Sequence, residues 1–340
     1  MTLQILWFIL WGVLWIGYFV LDGFDLGTGM LYPFLAKTES ERSSVRRSIG
    51  PVWDGNEVWL LTAGGATFAA FPAVYASMFS FLYTALLLVL FSLIIRGVSL
   101  EFRSKAPGTV WARMWDAGIF LGSALPALLF GVAFGNIFRG LPFDASGYHG
   151  SLLALLNPYG LITGLLFLDL FLVHGALWIA MRVEGEAGER ALRTANRFWP
   201  GLVVVAAGFL ALTPRLTGLE DNYEAAPYLA VVPLLAAASL VMIKVYAAKK
   251  RPGKAFLASA LTIGLTVATG LIGLYPNMLP SRTDPAASLT IFNSSSTPLT
   301  LKIMTIVALI FVPVVIAYQA WVYRVFRKKI APDDPSYDVY

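Results

Sequence analysis

The sequence predicts an all-α polytopic membrane protein with nine transmembrane helices. Of its 340 residues, 58% are hydrophobic and only 13% charged. Mean hydropathy is +0.71. The apolar runs recur at lengths that fit a bilayer, since about 20 residues at ~1.5 Å each cross a hydrocarbon core roughly 30 Å thick. A single integral membrane domain over 1–340 follows, because no segment has the composition of a soluble domain.

The first span, 3–35, begins almost at the first methionine. It has neither a basic start nor a small-residue cleavage pattern, so it reads as a mature helix and not as a removed signal. Further spans are expected at 53–73, 76–98, 114–137, 159–182, 198–214, 228–247, 254–275 and 300–325. Gly50–Pro51, Pro107–Gly108, Asn157–Pro158 and Pro252–Gly253 punctuate the loops between them. A Ser- and Thr-rich segment, 283–298, precedes the last span and is expected to cap the outer surface.

Orientation follows from the positive-inside bias. Alternate loops and the tail hold 21 of the 25 basic residues, whereas the opposite loops hold Arg139, Arg215 and Arg282. The N-terminus is therefore expected outside and the C-terminus in the cytoplasm. Basic cytoplasmic loops also account for the net charge of +5 without any nucleic-acid partner. With no cysteine, disulfides, thiolate metal sites and iron–sulfur clusters are excluded.

Within this frame, acidic residues in the apolar runs are costly and point to an ion route, a proton route or a buried polar network. Asp22 and Asp25 lie one turn apart in GYFVLDGFDLGTGM, toward the cytoplasmic end of span 1. Glycines 17, 23, 27 and 29 around them permit close packing or a local break. Span 2 opens with GPVWDGNEVWLL, which brings Asp54, Asn56 and Glu57 to a similar depth, and Trp53 and Trp59 suit an interface. Glu101 and Arg103 end span 3, and Asp116 begins span 4. Six carboxylates are thus expected at one cytoplasmic region. Glu101 and Asp116 read as caps or ion-pair partners of Arg46, Arg47 and Arg103. For Asp22, Asp25 and Asp54 both a proton relay and a structural network stay open, because mutual repulsion and desolvation would raise some of these carboxyl pKa values.

Resident cofactor signals are sparse. His149 falls in an outer loop, and His174, five residues after Asp169, reads as a core histidine more readily than as an axial ligand. His174 and Trp59 are the two residues a cofactor could touch, and neither is assigned to one. No spacing suggests a metal triad, and no catalytic residue is expected in this chain. Lys302 either snorkels to the outer interface or pairs with a buried acid of a partner or a quinone head group.

The segments LDGFDLGTGMLYPFL, GPVWDGNEVWLLTAGGATFAAFP, LEFRSK, MWDAGIFLGS, GVAFGNIFRGLPF and LLNPYGL, taken in order, resemble subunit II of cytochrome bd quinol oxidase. The resemblance runs along nearly the full chain, and WDGNEVWL with GFDLG carries most of its specificity. It implies two four-helix bundles plus one peripheral helix in a bacterial cytoplasmic membrane. It also implies a heterodimer with a haem-bearing subunit I that oxidises quinol and reduces dioxygen to water with cytoplasmic protons. Haems of b and d type are then expected in the partner. The resemblance leaves room for a structural quinone or lipid in this chain and for a small single-helix accessory subunit, beside ordinary membrane lipids. It matches Asp54 to a proton path at the subunit interface, and Asp25 and Asp22 to the family's acidic pair. Glu57 stands where some members have glutamine. Two other readings remain, a secondary transporter with acids in a Gly-rich broken helix and an assembly scaffold without a proton role.

Overall fold

The computed structural model describes residues 2–106 and 108–331. Pro107 of the predicted loop signal, Met1 and residues 332–340 lie outside the described residues. Among the described residues the chain forms twelve α-helices: α1 Thr2–Leu35, α2 Glu39–Ile49, α3 Trp53–Ala70, α4 Pro72–Phe81, α5 Tyr83–Phe102, α6 Thr109–Arg139, α7 Pro158–Arg182, α8 Gly185–Leu216, α9 Asp221–Ala225, α10 Val231–Ala248, α11 Pro252–Leu274 and α12 Pro298–Val325. Two short hairpins, β1 Phe143–Asp144 with β2 Gly147–Tyr148 and β3 Asn277–Leu279 with β4 Leu289–Thr290, complete it.

Among the described residues, eight helices are long and apolar enough to cross a membrane: α1, α5, α6, α7, α8, α10 with its leading turn, α11 and α12. The predicted second span is α3, a helix of 18 residues that falls outside this set. Its Asp54, Glu57 and run of small residues dilute its apolarity. The predicted third span divides into α4 and α5. Helix α8 begins 13 residues before the predicted span at 198, because its first turns carry Glu186, Glu189, Arg190 and Arg193, which hydropathy reads as loop.

The basic stretch after α1 is also helical where a loop was expected. Thr38 accepts from the Glu41 amide while Glu41 receives the cap backbone, a reciprocal capping box that starts α2. Its buried side packs Val45 and Ile49 inward, and Trp178 Nε1 donates to the Ser48 carbonyl at 3.2 Å.

Two ends of the molecule are tied differently. At the basic end, Arg103 bonds Glu39 at 2.8 Å and Arg190 meets Glu41 at 2.5 Å. The segment after α12 returns there too, with the Ile330 amide on the Arg182 carbonyl at 2.8 Å. At the hairpin end, Leu141 bonds Pro280 at 3.0 Å and Ser296 bonds Ala70 at 2.8 Å. Gln4 reaches Ser295 at 2.8 Å, so the described chain starts at the hairpin end and finishes at the basic end.

Helix α1 is the central element, packed on α3, α6, α7 and α11. It runs unbroken, so its glycines serve close approach. A Cβ on Gly27 would lie 1.8 Å from the Phe171 carbonyl oxygen and 2.9 Å from Gly175 Cα, so α1 and α7 touch backbone to backbone. One level toward the hairpin end, Trp15, Phe19, Phe134 and Phe167 interlock with centroids 4.9–6.1 Å apart. Gly27→Ala is therefore expected to destabilise the protein by about 1–3 kcal/mol. Gly201→Ala, whose Cβ meets open space, should change stability by less than about 0.5 kcal/mol. Thermal unfolding of the two variants side by side checks the contrast.

Candidate functional site

Two turns inside the basic end, one guanidinium gathers the intramembrane acids. Arg96 on α5 is buried, and its Nη2 lies 2.7 Å from Asp22 Oδ1 and 3.1 Å from Glu57 Oε2. Asp22 is fully buried on α1, while Glu57 on α3 keeps a quarter of its side chain exposed. An uncompensated charge at this depth would cost several kcal/mol, and the triad meets that cost by pairing across three helices.

Asp25 takes a separate partner although it shares a face with Asp22. Asn56 Nδ2 donates to Asp25 Oδ2 at 2.7 Å, and the Asn56 carbonyl accepts from Tyr323 Oη at 2.7 Å and Gln319 Nε2 at 3.0 Å. Trp59 Nε1 donates to Gln319 Oε1 at 2.9 Å. Asn56 thus links α1 and α3 to α12. Trp59 belongs to this chain of hydrogen bonds, and its ring covers Gly17.

Asp54 stands apart. It is exposed on α3, and among the described residues its side chain accepts from the neighbouring Gly55 amide at 2.7 Å. It remains within electrostatic reach of Glu57. Glu101 is also exposed, at the end of α5. The six carboxylates expected in one region are therefore divided. Asp116 joins a network at the mouth, accepting from Arg103 Nε at 2.8 Å and pairing with Arg42. Arg103, buried at the α5 C-terminus, holds Glu39 on its other side, and this hydrogen bond keeps the Glu39 carboxyl below the usual glutamate range. Of the cations expected beside Asp116, Arg103 pairs with it, and Arg42 of α2 joins as an unexpected partner.

His174 is buried between α1, α7 and α11. Its Nε2 faces the Val20 carbonyl at 3.1 Å, so the proton sits on Nε2, and Nδ1 accepts from Ser259 Oγ at 3.1 Å. The ring stacks on Phe256 at 4.3 Å. Both nitrogens are engaged, so this histidine is not poised as an axial ligand. Among the described residues, no group of three or more His, Asp or Glu side chains is placed to hold a metal ion.

Residues 3–326 match the family described as cytochrome bd terminal oxidase subunit II. The chain belongs to that family. Cytochrome bd-I ubiquinol oxidase subunit 2 of Escherichia coli strain K12 is 38% identical over 367 aligned residues, covering 98% of this chain and 96% of that protein. Cytochrome bd ubiquinol oxidase subunit 2 of Bacillus subtilis strain 168 is 38% identical over 336 residues and covers 98% of each. The fold is similar to that of bd oxidase from Geobacillus thermodenitrificans, with a TM-score of 0.78 at 18% identity over 96% of this chain and 99% of that one. Family membership makes this chain a subunit of a multi-pass terminal oxidase complex and leaves the transporter reading without support.

Sequence reasoning placed Arg96 among the loop cations and passed over Gln319 and Tyr323. Arg96 had one signal: it follows an apolar run and precedes Glu101 by five residues, so it lies inside the span. Replacing it with Gln should destabilise the protein by about 3–5 kcal/mol, because Asp22 would stay buried without its cation. Adding Asp22→Asn should recover at least about half of that loss, as read by thermal unfolding.

Proposed function

We propose that this chain is subunit II of a quinol-oxidising, dioxygen-reducing terminal oxidase and delivers cytoplasmic protons toward a haem-bearing subunit I. Counting α3 with the eight apolar helices gives nine crossings, grouped as two four-helix bundles and a peripheral α12. The odd number agrees with a chain that starts at the hairpin end and finishes at the basic end. With the basic end in the cytoplasm, the N-terminus is outside.

One observation carries the proton reading: the acids descend from an exposed Asp54 through a half-buried Glu57 to the Arg96–Asp22 pair. Asp54 shares the exposed face of α3 with Val58, Leu61, Gly65 and Phe68, and an added Cβ at Gly65 meets nothing within 4 Å. An outward face with large apolar side chains and one open glycine suits contact with another membrane helix. A carboxylate there can take a proton from cytoplasmic water and release it across the interface. Glu57 couples this exposed group to the buried charge set, so it belongs to the path despite glutamine standing there in some relatives. Arg96 Nε and Nη1 and Asp25 Oδ1 are buried and have no hydrogen-bond partner among the described residues.

Haems of b and d type would supply the electron transfer and oxygen chemistry from subunit I. The engaged nitrogens of His174 do not suit axial ligation here. What this chain contributes is proton delivery and the scaffold that holds it. A pure scaffold is the second reading, favoured by how completely Asn56 is saturated.

Asp54→Asn in the assembled complex is expected to lower quinol-driven oxygen consumption at least about tenfold, with haem content per complex unchanged. Turnover at the parental rate would leave only the scaffold. Glu57→Gln should produce a smaller loss in the same assay, since the exposed group still collects the proton.

A further inference from the structure

Helices α7, α8, α10 and α11 leave a crevice between them. Its inner part, about 210 Å³, is walled by Leu166, Leu170, Leu202, Ala206, Ala236 and Leu240. Its outer part, about 250 Å³, reaches Thr213, Pro214, Glu220 and Tyr223. Phe209, Leu210, Pro233 and Thr269 border both, so the two parts are continuous. Asn222, two residues after Glu220, donates to the Gly273 carbonyl at 3.0 Å, which sets this mouth at the hairpin end. Among the lining side chains Glu220 alone is charged, and its Oε2 is buried with no hydrogen-bond partner among the described residues. The hydroxyls beside it are engaged elsewhere: Tyr223 Oη donates to the Thr269 carbonyl at 2.7 Å and Thr213 Oγ1 to the Phe209 carbonyl at 2.7 Å.

We propose that this crevice binds an aminophospholipid of the leaflet at the hairpin end, its ammonium donating to Glu220 and one acyl chain lying between α8 and α10. A buried carboxylate oxygen without a donor is costly, and an ammonium supplies both the N–H and the positive charge. Asp221 and Glu224, exposed on the short helix that follows, add negative charge at the same mouth. Arg215, next to Pro214 of the lining, is exposed and forms no ion pair among the described residues, so it is available to the lipid phosphate. Size decides between a lipid and a protein helix. A helix with its side chains is about 10 Å across, more than a crevice of this volume admits. From Leu202 to Pro214 the crevice follows α8 for about 18 Å at helical rise, which exceeds the roughly 15 Å of hydrocarbon in one leaflet. The helix of Asp54, α3, packs on α1, α4 and α12 and walls no part of the crevice. The assignment therefore does not rest on the proton path.

The test is native mass spectrometry of the whole detergent-purified complex, titrated separately with phosphatidylethanolamine and with phosphatidylcholine of the same acyl chains. Methylation removes the N–H donors of the second lipid, so the first should bind at concentrations at least about tenfold lower, the factor expected of one hydrogen bond to a charged group. Glu220→Gln should bring the two lipids within about twofold. Ala206→Phe, which fills the inner crevice, should weaken both and leave their order unchanged. Equal binding of both lipids by the parental complex overturns the proposal, as does an undiminished preference in Glu220→Gln or undiminished binding in Ala206→Phe. A quinone released from the parental complex, and lost from the Glu220→Gln complex, also overturns it by naming a different occupant.

Discussion

The buried guanidinium of Arg96 is the constraint around which the basic half of the membrane domain is arranged. A cation two turns inside a bilayer is tolerable only with carboxylates against it, and Arg96 draws one from α1 and one from α3. Those contacts fix the rotation of three helices about their axes. Once Asp22 faces α5, Asp25 one turn later is turned toward α3, where Asn56 receives it. Asn56 then has a carbonyl to satisfy, and α12 supplies Tyr323 and Gln319. A single charge therefore propagates through hydrogen bonds to a helix that is otherwise almost wholly exposed.

Polar pairing in the low dielectric acts together with packing that only small residues allow. Gly27 and Gly175 bring α1 and α7 into backbone contact beside the acidic pair. The aromatic interlock of Trp15, Phe19, Phe134 and Phe167 fills the next layer. Apolar burial gives little drive between helices already in lipid, so close fit and satisfied polar groups carry the assembly. His174 follows the same logic: its two nitrogens tie α1 to α11, and its ring is stacked, which makes it a structural pin.

The acids divide into a buried set, which specifies structure, and a surface set, which can exchange protons. Asp22 and Asp25 are both buried, one against Arg96 and the other against Asn56, and these partners tie the rotation of α1 to that of α5 and α3. Asp54 is exposed on the outward face of α3, beside Val58 and Leu61. The Asp116, Arg103, Glu39 and Arg42 network closes the mouth between α2, α5 and α6. It is separate from Arg96, so the charge at the mouth and the charge inside are balanced independently.

The sequence by itself determined the setting: an all-helical membrane chain, the position of most spans, the segregation of basic loops, and a family likeness resting on WDGNEVWL and GFDLG. Hydropathy and charge are local sums, so they survive without knowledge of packing. Helix α2 was also legible, since Thr38 and Glu41 have the spacing of a capping box, but its basic content read as a loop. What the tertiary structure alone decided was pairing. Asp22 and Asp25 look equivalent along the chain, yet one faces Arg96 and the other Asn56, because helix rotation is set by neighbours far away in sequence. Arg96 itself is counted as a loop cation until α1 and α3 are placed beside it. The exposure of Asp54 and the burial of Asp22 likewise depend on which face of a helix meets another, a choice that periodicity cannot fix when α3 has apolar residues on both its buried and its exposed faces.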